Sequence, residues 1–172
     1  MGRLETVLAG RDGRYRLQRH MLDRWTVVVQ TALNVPGFPK RVEGDRFLVE
    51  NVTLSIEKTL GDMGSSPGMV VFMDNGAGFA SMIPVSGAEE AEVKRLGVAW
   101  ETFMDWGRVL DIDVITLSGA VSRDRLGMPS RRCMVCGGDA KTCARRGRHP
   151  VGILRDMTEK MTGMGVRFLS DR

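Results

Sequence analysis

Aromatic rings are scarce in this chain. Phe, Trp and Tyr make up 6% of 172 residues, and there is a single Tyr. A platform that stacks single-stranded bases needs more rings than that, so the composition argues against one. No long uncharged apolar run is present, and nothing reads as a membrane span. The first residues, MGRLETVLAGRDGR, contain no apolar h-region, so no secretory signal is expected and the chain is read as cytoplasmic. Its three cysteines are then expected as reduced thiols or metal ligands rather than disulfides. Histidine is limited to two residues. Neither sign of charge dominates: 25 Lys and Arg face 21 Asp and Glu, a net charge of +4. That mild excess suggests an anionic partner without saying which. Repeats, low-complexity tracts and interdomain linkers are also missing, so residues 1–172 are read as one domain.

Apolar residues, at 42%, are numerous enough to bury a core, and 12 methionines predict that aliphatic and Met side chains fill much of it. Leu4, Val7, Leu8, Leu17, Met21 and Leu22 have helical spacing over 3–22, with a break or bend expected near Gly10 and Gly13. WTVVVQTAL (25–33) reads as a buried strand. A Pro-Gly turn follows at 36–37, then a helix over 45–60. Segments 68–74 and 78–84 flank Asn75-Gly76-Ala77 and predict a hairpin. Val93, Leu96, Trp100 and Phe103 mark one face of a helix over 88–104. VLDIDVITL is a strand, the Cys/Arg-rich segment after it is loop-rich, and a last helix covers roughly 151–162. Interleaved helices and strands with a hairpin predict an α+β fold, a mixed sheet with covering helices.

Two short stretches carry the chemistry. In GRVLDIDVI (107–115), strand alternation sends Leu110, Ile112 and Val114 one way and Asp111 and Asp113 the other. Two adjacent carboxylates repel, and a divalent cation offsets this; Mg²⁺ favours one or two carboxylates together with substrate phosphates. The bland alternative is a pair of exposed acids on an edge strand. Nucleotidyltransferases of the polymerase type use acids on a strand to hold metal while a nucleophile meets an α-phosphorus, so a nucleotidyltransferase-like fold is the narrower expectation.

The second stretch, SRDRLGMPSRRCMVCGGDAKTCARRGRH (122–149), holds all three cysteines, one histidine and eight Lys or Arg against Asp124 and Asp139. So many arginines in a Gly-rich segment must face water or an anion. Cys133, Cys136, Cys143 and His149 form a ligand set of the kind zinc takes, and the first pair has knuckle spacing. Buried free thiols packing a small loop are the competing reading. A zinc-knuckle module binding nucleic acid would use the same arginines on phosphates, but the Asp111/Asp113 face would repel a nucleic-acid backbone, and rings for stacking are few.

Together these stretches resemble the apo-citrate lyase phosphoribosyl-dephospho-CoA transferase family, whose members are also called holo-acyl-carrier-protein synthases. The matching residues are Gly107, Arg108, Asp111, Ile112, Asp113, Val114, Ser122, Arg123, Pro129, Arg131, Arg132, Cys133, Cys136, Cys143, Ala144, Arg145 and His149. Fainter matches are Arg11, Asp12, Arg14, Gln18, Pro36, Gly37 and Lys40, and Lys94 and Glu101 stand where family residues are expected. The resemblance implies a donor, 2′-(5″-triphosphoribosyl)-3′-dephospho-CoA, and an acceptor, a serine of the apo acyl-carrier subunit of citrate lyase. It implies Asp111 and Asp113 as Mg²⁺ ligands, Glu101 as a third acid, and Lys40, Arg108, Arg123, Arg131 and Arg132 as phosphate contacts. The 122–149 arginines are expected as a wall opposite the acid pair. The analogous transferase of malonate decarboxylase is the enzyme alternative; the Cys/Arg segment favours the citrate lyase type.

Overall fold

The computed structural model describes residues 2–171. Helix α1 (Arg3–Leu22) leads into β1 (Val27–Leu33), followed by α2 (Asp45–Asp62), β2 (Ser66–Pro67), β3 (Val71–Asn75), β4 (Gly78–Ser86) and α3 (Glu90–Thr102). A 3-10 turn (Asp105–Val109) precedes β5 (Leu110–Thr116) and β6 (Gly119–Ala120), and α4 (Ala140–Arg145) and α5 (Val151–Ser170) close the chain. The strands form one sheet in the order β2-β4-β1-β5-β6, with β3 also on β4. The β-branched run of β1 makes it the central strand, buried nearly throughout, as a continuous apolar run requires.

The fold is α+β as expected, but every pairing is antiparallel rather than mixed. Interleaving of helices and strands does not set strand direction. A helix that returns the chain to the opposite end of a neighbouring strand gives an antiparallel pair.

The two faces of the sheet are covered unequally. On one, α2, α3 and α5 enclose the main core of Val27, Val29, Leu48, Val52, Ile56, Leu60, Ile83, Leu110, Ile112 and Val114. Leu48, Val52, Ile56 and Leu60 recur every fourth residue on α2 and are fully buried; each contributes about 1.5–3 kcal/mol. On the other face, Leu17, Met21 and Leu22 of α1 pack on Val28, Met82 and Ile115. Between α1 and the sheet there is also a cavity, lined on the helix side by Arg11, Arg14, Tyr15 and Gln18.

Helix α1 runs unbroken through Gly10 and Gly13, against the expected bend. A Cβ at Gly10 would stand 2.5 Å from the Ala77 backbone nitrogen, and one at Gly76 would stand 2.2 Å from the Thr6 carbonyl. These glycines let the helix close onto the β3–β4 turn; they are not breakers. The last helix likewise runs to Ser170, past the expected end, because Gly165 packs against Leu48 and Trp106 instead of stopping the helix.

Candidate active site

Strand β5 alternates as its sequence requires: Leu110, Ile112, Val114 and Thr116 are buried, while Asp111, Asp113 and Ile115 lie on the partly open face. Asp111 is paired with Ala32 and Asp113 with Gln30 of β1. β5 is not a bare edge strand, since β1 flanks it on one side and β6 on the other. Both acids line a cavity of about 350 Å³ roofed by Arg11, Arg14, Tyr15 and Gln18 of α1, with Gln30, Asn34 and Lys40 completing the walls. Burial pushes the Asp113 carboxyl up to about 6, and the neighbouring Asp111 charge adds to the shift.

The cations around these acids come from three places. Arg131 Nη1 lies 3.3 Å from Asp111. Arg14 is buried and donates from Nη2 to the carbonyls of Ala77 and Gly78, at 3.0 and 2.9 Å. Its Nε is buried with no hydrogen-bond partner among the described residues. Burial lowers its pKa, and the charge of Asp111 works the other way. Lys40 donates to the Val35 carbonyl at 2.8 Å, and its pKa too is lowered, first by burial and then by Arg11 and Arg155. The segment carrying Lys40 comes close because Gly78, at φ +101°, has its missing Cβ 2.4 Å from the Lys40 carbonyl. The wall opposite the acid pair is therefore α1 with Lys40, whereas the 122–149 segment delivers Arg131 to the side of Asp111. Arg11, Arg14 and Gln18 are not among the residues predicted for the site. Their spacing of three and four places them on one helical face, which is the signal that could have found them.

Glu101 lies away from this cavity. Its side chain is 3% exposed and accepts from Arg123 and from Arg131, the latter at 2.5 Å. It also accepts the Ile112 backbone N–H at 2.8 Å. Lys94, buried in the same helix, donates to the Ile112 carbonyl at 2.9 Å. Together with Arg131, which donates to the Leu110 carbonyl at 2.8 Å, these side chains satisfy the edge of β5 that β6 does not reach. Glu101 thus holds β5 and two arginines in place, and its oxygens are already engaged.

A second cavity, of about 360 Å³, adjoins the first through Asn34, Val35 and Lys40. It is lined by Pro36, Arg108, Arg131, Arg132, Met134, Val151 and Leu154, and by the cysteine segment. Arg108 donates to the Cys133 carbonyl at 2.5 Å, and Arg132 is exposed. In that segment the ligand atoms of Cys133, Cys136, Cys143 and His149 all lie within 4.8 Å of one another. The Cys136 thiol is drawn down to about 6, chiefly by a hydrogen bond with the Gly138 backbone, while burial pushes the Cys143 thiol up to about 11.

The predicted residues thus fall into three groups: Asp111, Asp113 and Lys40 around the first cavity, Glu101 with Arg123 behind it, and Arg108, Arg132 and the Cys/His set around the second, with Arg131 lining the second cavity and paired to Asp111. No helix among the described residues is long and apolar enough to cross a membrane. The sequence of a Vibrio cholerae O1 (strain M66-2) protein named "Probable apo-citrate lyase phosphoribosyl-dephospho-CoA transferase" is 27% identical over 161 residues, spanning 92% of this chain and 90% of that one. A Streptococcus pyogenes serotype M18 protein of the same name is 26% identical over 92% of this chain and 84% of its own. "Protein CitXG" of Leuconostoc mesenteroides subsp. cremoris is 29% identical over 92% of this chain, which matches 34% of its length. The family model CitX, apo-citrate lyase phosphoribosyl-dephospho-CoA transferase, matches residues 2–164, which takes in both cavities and every site residue described above. With so much of its length matched, the chain belongs to the apo-citrate lyase phosphoribosyl-dephospho-CoA transferase family.

Proposed function

We propose that this protein transfers the phosphoribosyl-dephospho-CoA group from 2′-(5″-triphosphoribosyl)-3′-dephospho-CoA to a serine of the apo acyl-carrier subunit of citrate lyase. In this reaction the serine oxygen bonds to the donor's α-phosphorus, the bond to the β-phosphate bridging oxygen breaks, pyrophosphate leaves, and the serine proton goes to solvent or a base. The observation that carries the reading is the placement of Asp111 and Asp113 side by side on a cavity whose other walls hold Lys40, Arg11 and Arg14, in a chain of this family.

The site fits a divalent cation. Two carboxylates face one polar cavity, and the Asp113 carboxyl is raised first by burial and then by the charge of Asp111, a repulsion that a bound cation would offset. Asp111 and Asp113 would hold Mg²⁺, which supplies charge neutralisation on the triphosphate. The chain's own residues do the rest. Lys40 and Arg11 meet the outer phosphate oxygens, and Arg14 adds its positive charge to the same wall. Arg131 steadies Asp111. The adjoining cavity, with Pro36, Met134, Val151 and Leu154, accepts the less charged dephospho-CoA end, and Arg108 and Arg132 meet its phosphate groups. Such an arrangement acts by positioning and electrostatics, as phosphoryl and nucleotidyl transfers require.

A nucleic-acid module finds less support. Arg123 and Arg131 turn inward onto Glu101 and are not displayed on the surface. The decisive experiment is the intact mass of the apo carrier subunit after incubation with this protein, the triphosphoribosyl donor and Mg²⁺. A mass gain equal to the prosthetic group is expected. An unmodified carrier, with the protein folded and the donor intact, would refute the assignment.

A further inference from the structure

The segment from Ser122 to His149 has little of its own to hold it. Its regular structure is a three-residue 3-10 turn and the six-residue α4, and its buried side chains are Cys133 and Cys143. Yet Arg131 reaches Asp111 from this segment, and Cys133 supplies the carbonyl that Arg108 binds. Leu126 and Met134 pack against the main core but are themselves only partly buried, so the apolar anchoring of the segment is light.

We propose that Cys133, Cys136, Cys143 and His149 bind one zinc ion, and that this ion holds the segment against β5 so that Arg131 stays on Asp111. The four ligand atoms lie within 4.8 Å of one another. The sulfurs of Cys136 and Cys143 are 3.6 Å apart. Tetrahedral thiolates at about 2.3 Å from zinc stand about 3.8 Å from one another. A disulfide would need about 2.0 Å, and a multi-iron cluster would need room for bridging sulfides among the ligands. Nε2 of His149 is buried without a hydrogen-bond partner among the described residues.

The backbone is arranged to present these ligands. Cys133 N–H donates to the Gly138 carbonyl at 2.6 Å, and Gly137 N–H to the Cys133 carbonyl at 2.9 Å. Gly137, at φ +70°, makes this tight knuckle accessible to the chain. Asp139 caps α4 by accepting from Thr142 N–H at 2.7 Å, and Ser130 donates to the same carboxylate at 2.7 Å. That cap sets the helix carrying Cys143. Arg148 N–H then returns to the Cys143 carbonyl at 3.0 Å, which brings the next residue, His149, back to the cluster. Three thiolates and one zinc leave one negative charge, and the exposed Arg132, Arg145, Arg146 and Arg148 surround it in sequence. Three thiolates with one imidazole is a closed structural set, with no ligand position left for substrate.

The proposal is independent of the transferase reading, and its first test needs no substrate. Untagged protein is purified without added metal and its metal content measured. About one zinc per chain is expected. A thiol-specific mercurial should release that zinc in proportion, and Co²⁺ exchanged into the site should give the intense visible bands of a tetrahedral thiolate centre. Cys143→Ser should lose the zinc and melt at lower temperature. If that variant does not fold, His149→Ala in the same assay must show weakened zinc retention. The positioning claim is read separately, by amide exchange. Removing zinc should expose the Cys133 and Cys143 amides and loosen β5 at Leu110 while leaving α2 protected. Wild-type protein free of zinc and indifferent to added zinc or chelator would overturn the proposal. So would iron in place of zinc, or a Cys143→Ser protein with full zinc and unchanged melting.

Discussion

Burial and the charge of Asp111 hold the Asp113 carboxyl at about 6 when no cation is bound. The sign of the consequence follows from linkage. A carboxyl with a folded pKa above its ordinary value binds its proton more tightly in the folded state. Its ionisation therefore costs stability: nothing below about pH 4, a growing amount between about pH 4 and 6, and the full amount above. Asp113→Asn should raise the melting temperature of metal-free protein near pH 7.5 and leave it unchanged near pH 4, as read by thermal denaturation across that range. Saturating Mg²⁺ should narrow the gap by stabilising the wild type. In the transfer assay, Asp111→Asn and Asp113→Asn should each lose at least ~100-fold while keeping the fold. Near-wild-type turnover in both would sink the metal assignment. Two neighbouring arginines should behave differently from one another. Arg131 joins Asp111, Glu101 and the Leu110 carbonyl, whereas Arg132 is exposed. Arg131→Ala leaves a buried carboxylate with one cation fewer and should cost about 3 kcal/mol. Arg132→Ala should stay within about 0.5 kcal/mol of wild type, its effect confined to donor KM. Chemical denaturation of the two variants tests this, and equal losses would refute the distinction. Arg131→Lys should recover only part, since an ammonium cannot serve three acceptors in a fork.

At the scale of elements, α3 is the support of the site. A Cβ at Gly97 would stand 2.8 Å from Ile112 Cγ2, and one at Gly107 would stand 2.2 Å from the Trp100 carbonyl. The first glycine lets α3 lie close on β5, so that Lys94 and Glu101 reach the Ile112 backbone. The second folds the 3-10 turn back under the helix. Gly107→Ala meets backbone, which cannot move aside, and should cost about 3 kcal/mol, roughly 6–12 °C in melting temperature. Gly97→Ala meets a side chain and should cost less. In Gly97→Ala the Ile112 amide should also exchange faster, because its bond to Glu101 lengthens. Unaltered exchange and melting in both would show that the close approach is unimportant. This bears on what the sequence reveals. Strand and helix periodicity located β1, α2, the β3–β4 hairpin, α3 and β5 within a few residues. Glycine was the ambiguous letter. Gly10 looks like a helix breaker, and only the partner across the gap shows that it permits contact. Strand direction was likewise invisible, because it depends on where each connection lands.

Across the whole molecule, the site joins parts of the chain that are far apart. Asp111 and Asp113 were legible from alternation, and the Cys/His set from spacing. Arg11 and Arg14 show a shared helical face in the sequence, but nothing local says that α1 lies over β5. The segment bearing Lys40 shows the same limit. From α5, Arg155 donates to the carbonyls of Pro39 and Arg41, at 2.9 and 2.6 Å, and more weakly to Pro36 at 3.4 Å. Those partners are 114 to 119 residues distant in sequence. Gly37, at φ +69°, lets the same segment pass close to Val151 at the start of α5. The C-terminal helix thus sets the position of a lysine that lines both cavities. Arg155→Ala should free the 36–41 segment and raise donor KM about 10-fold, equivalent to about 1.4 kcal/mol. Turnover at saturating donor should change little, because the acid pair on β5 is untouched. Arg155→Lys should restore part of the affinity, as one ammonium cannot reach all three carbonyls. Steady-state kinetics with varied donor separates this positioning role from a general loss of fold, which would lower the active fraction and reduce kcat while leaving KM alone. That second pattern, or an unchanged KM in a stable Arg155→Ala protein, would refute the link between α5 and the donor site.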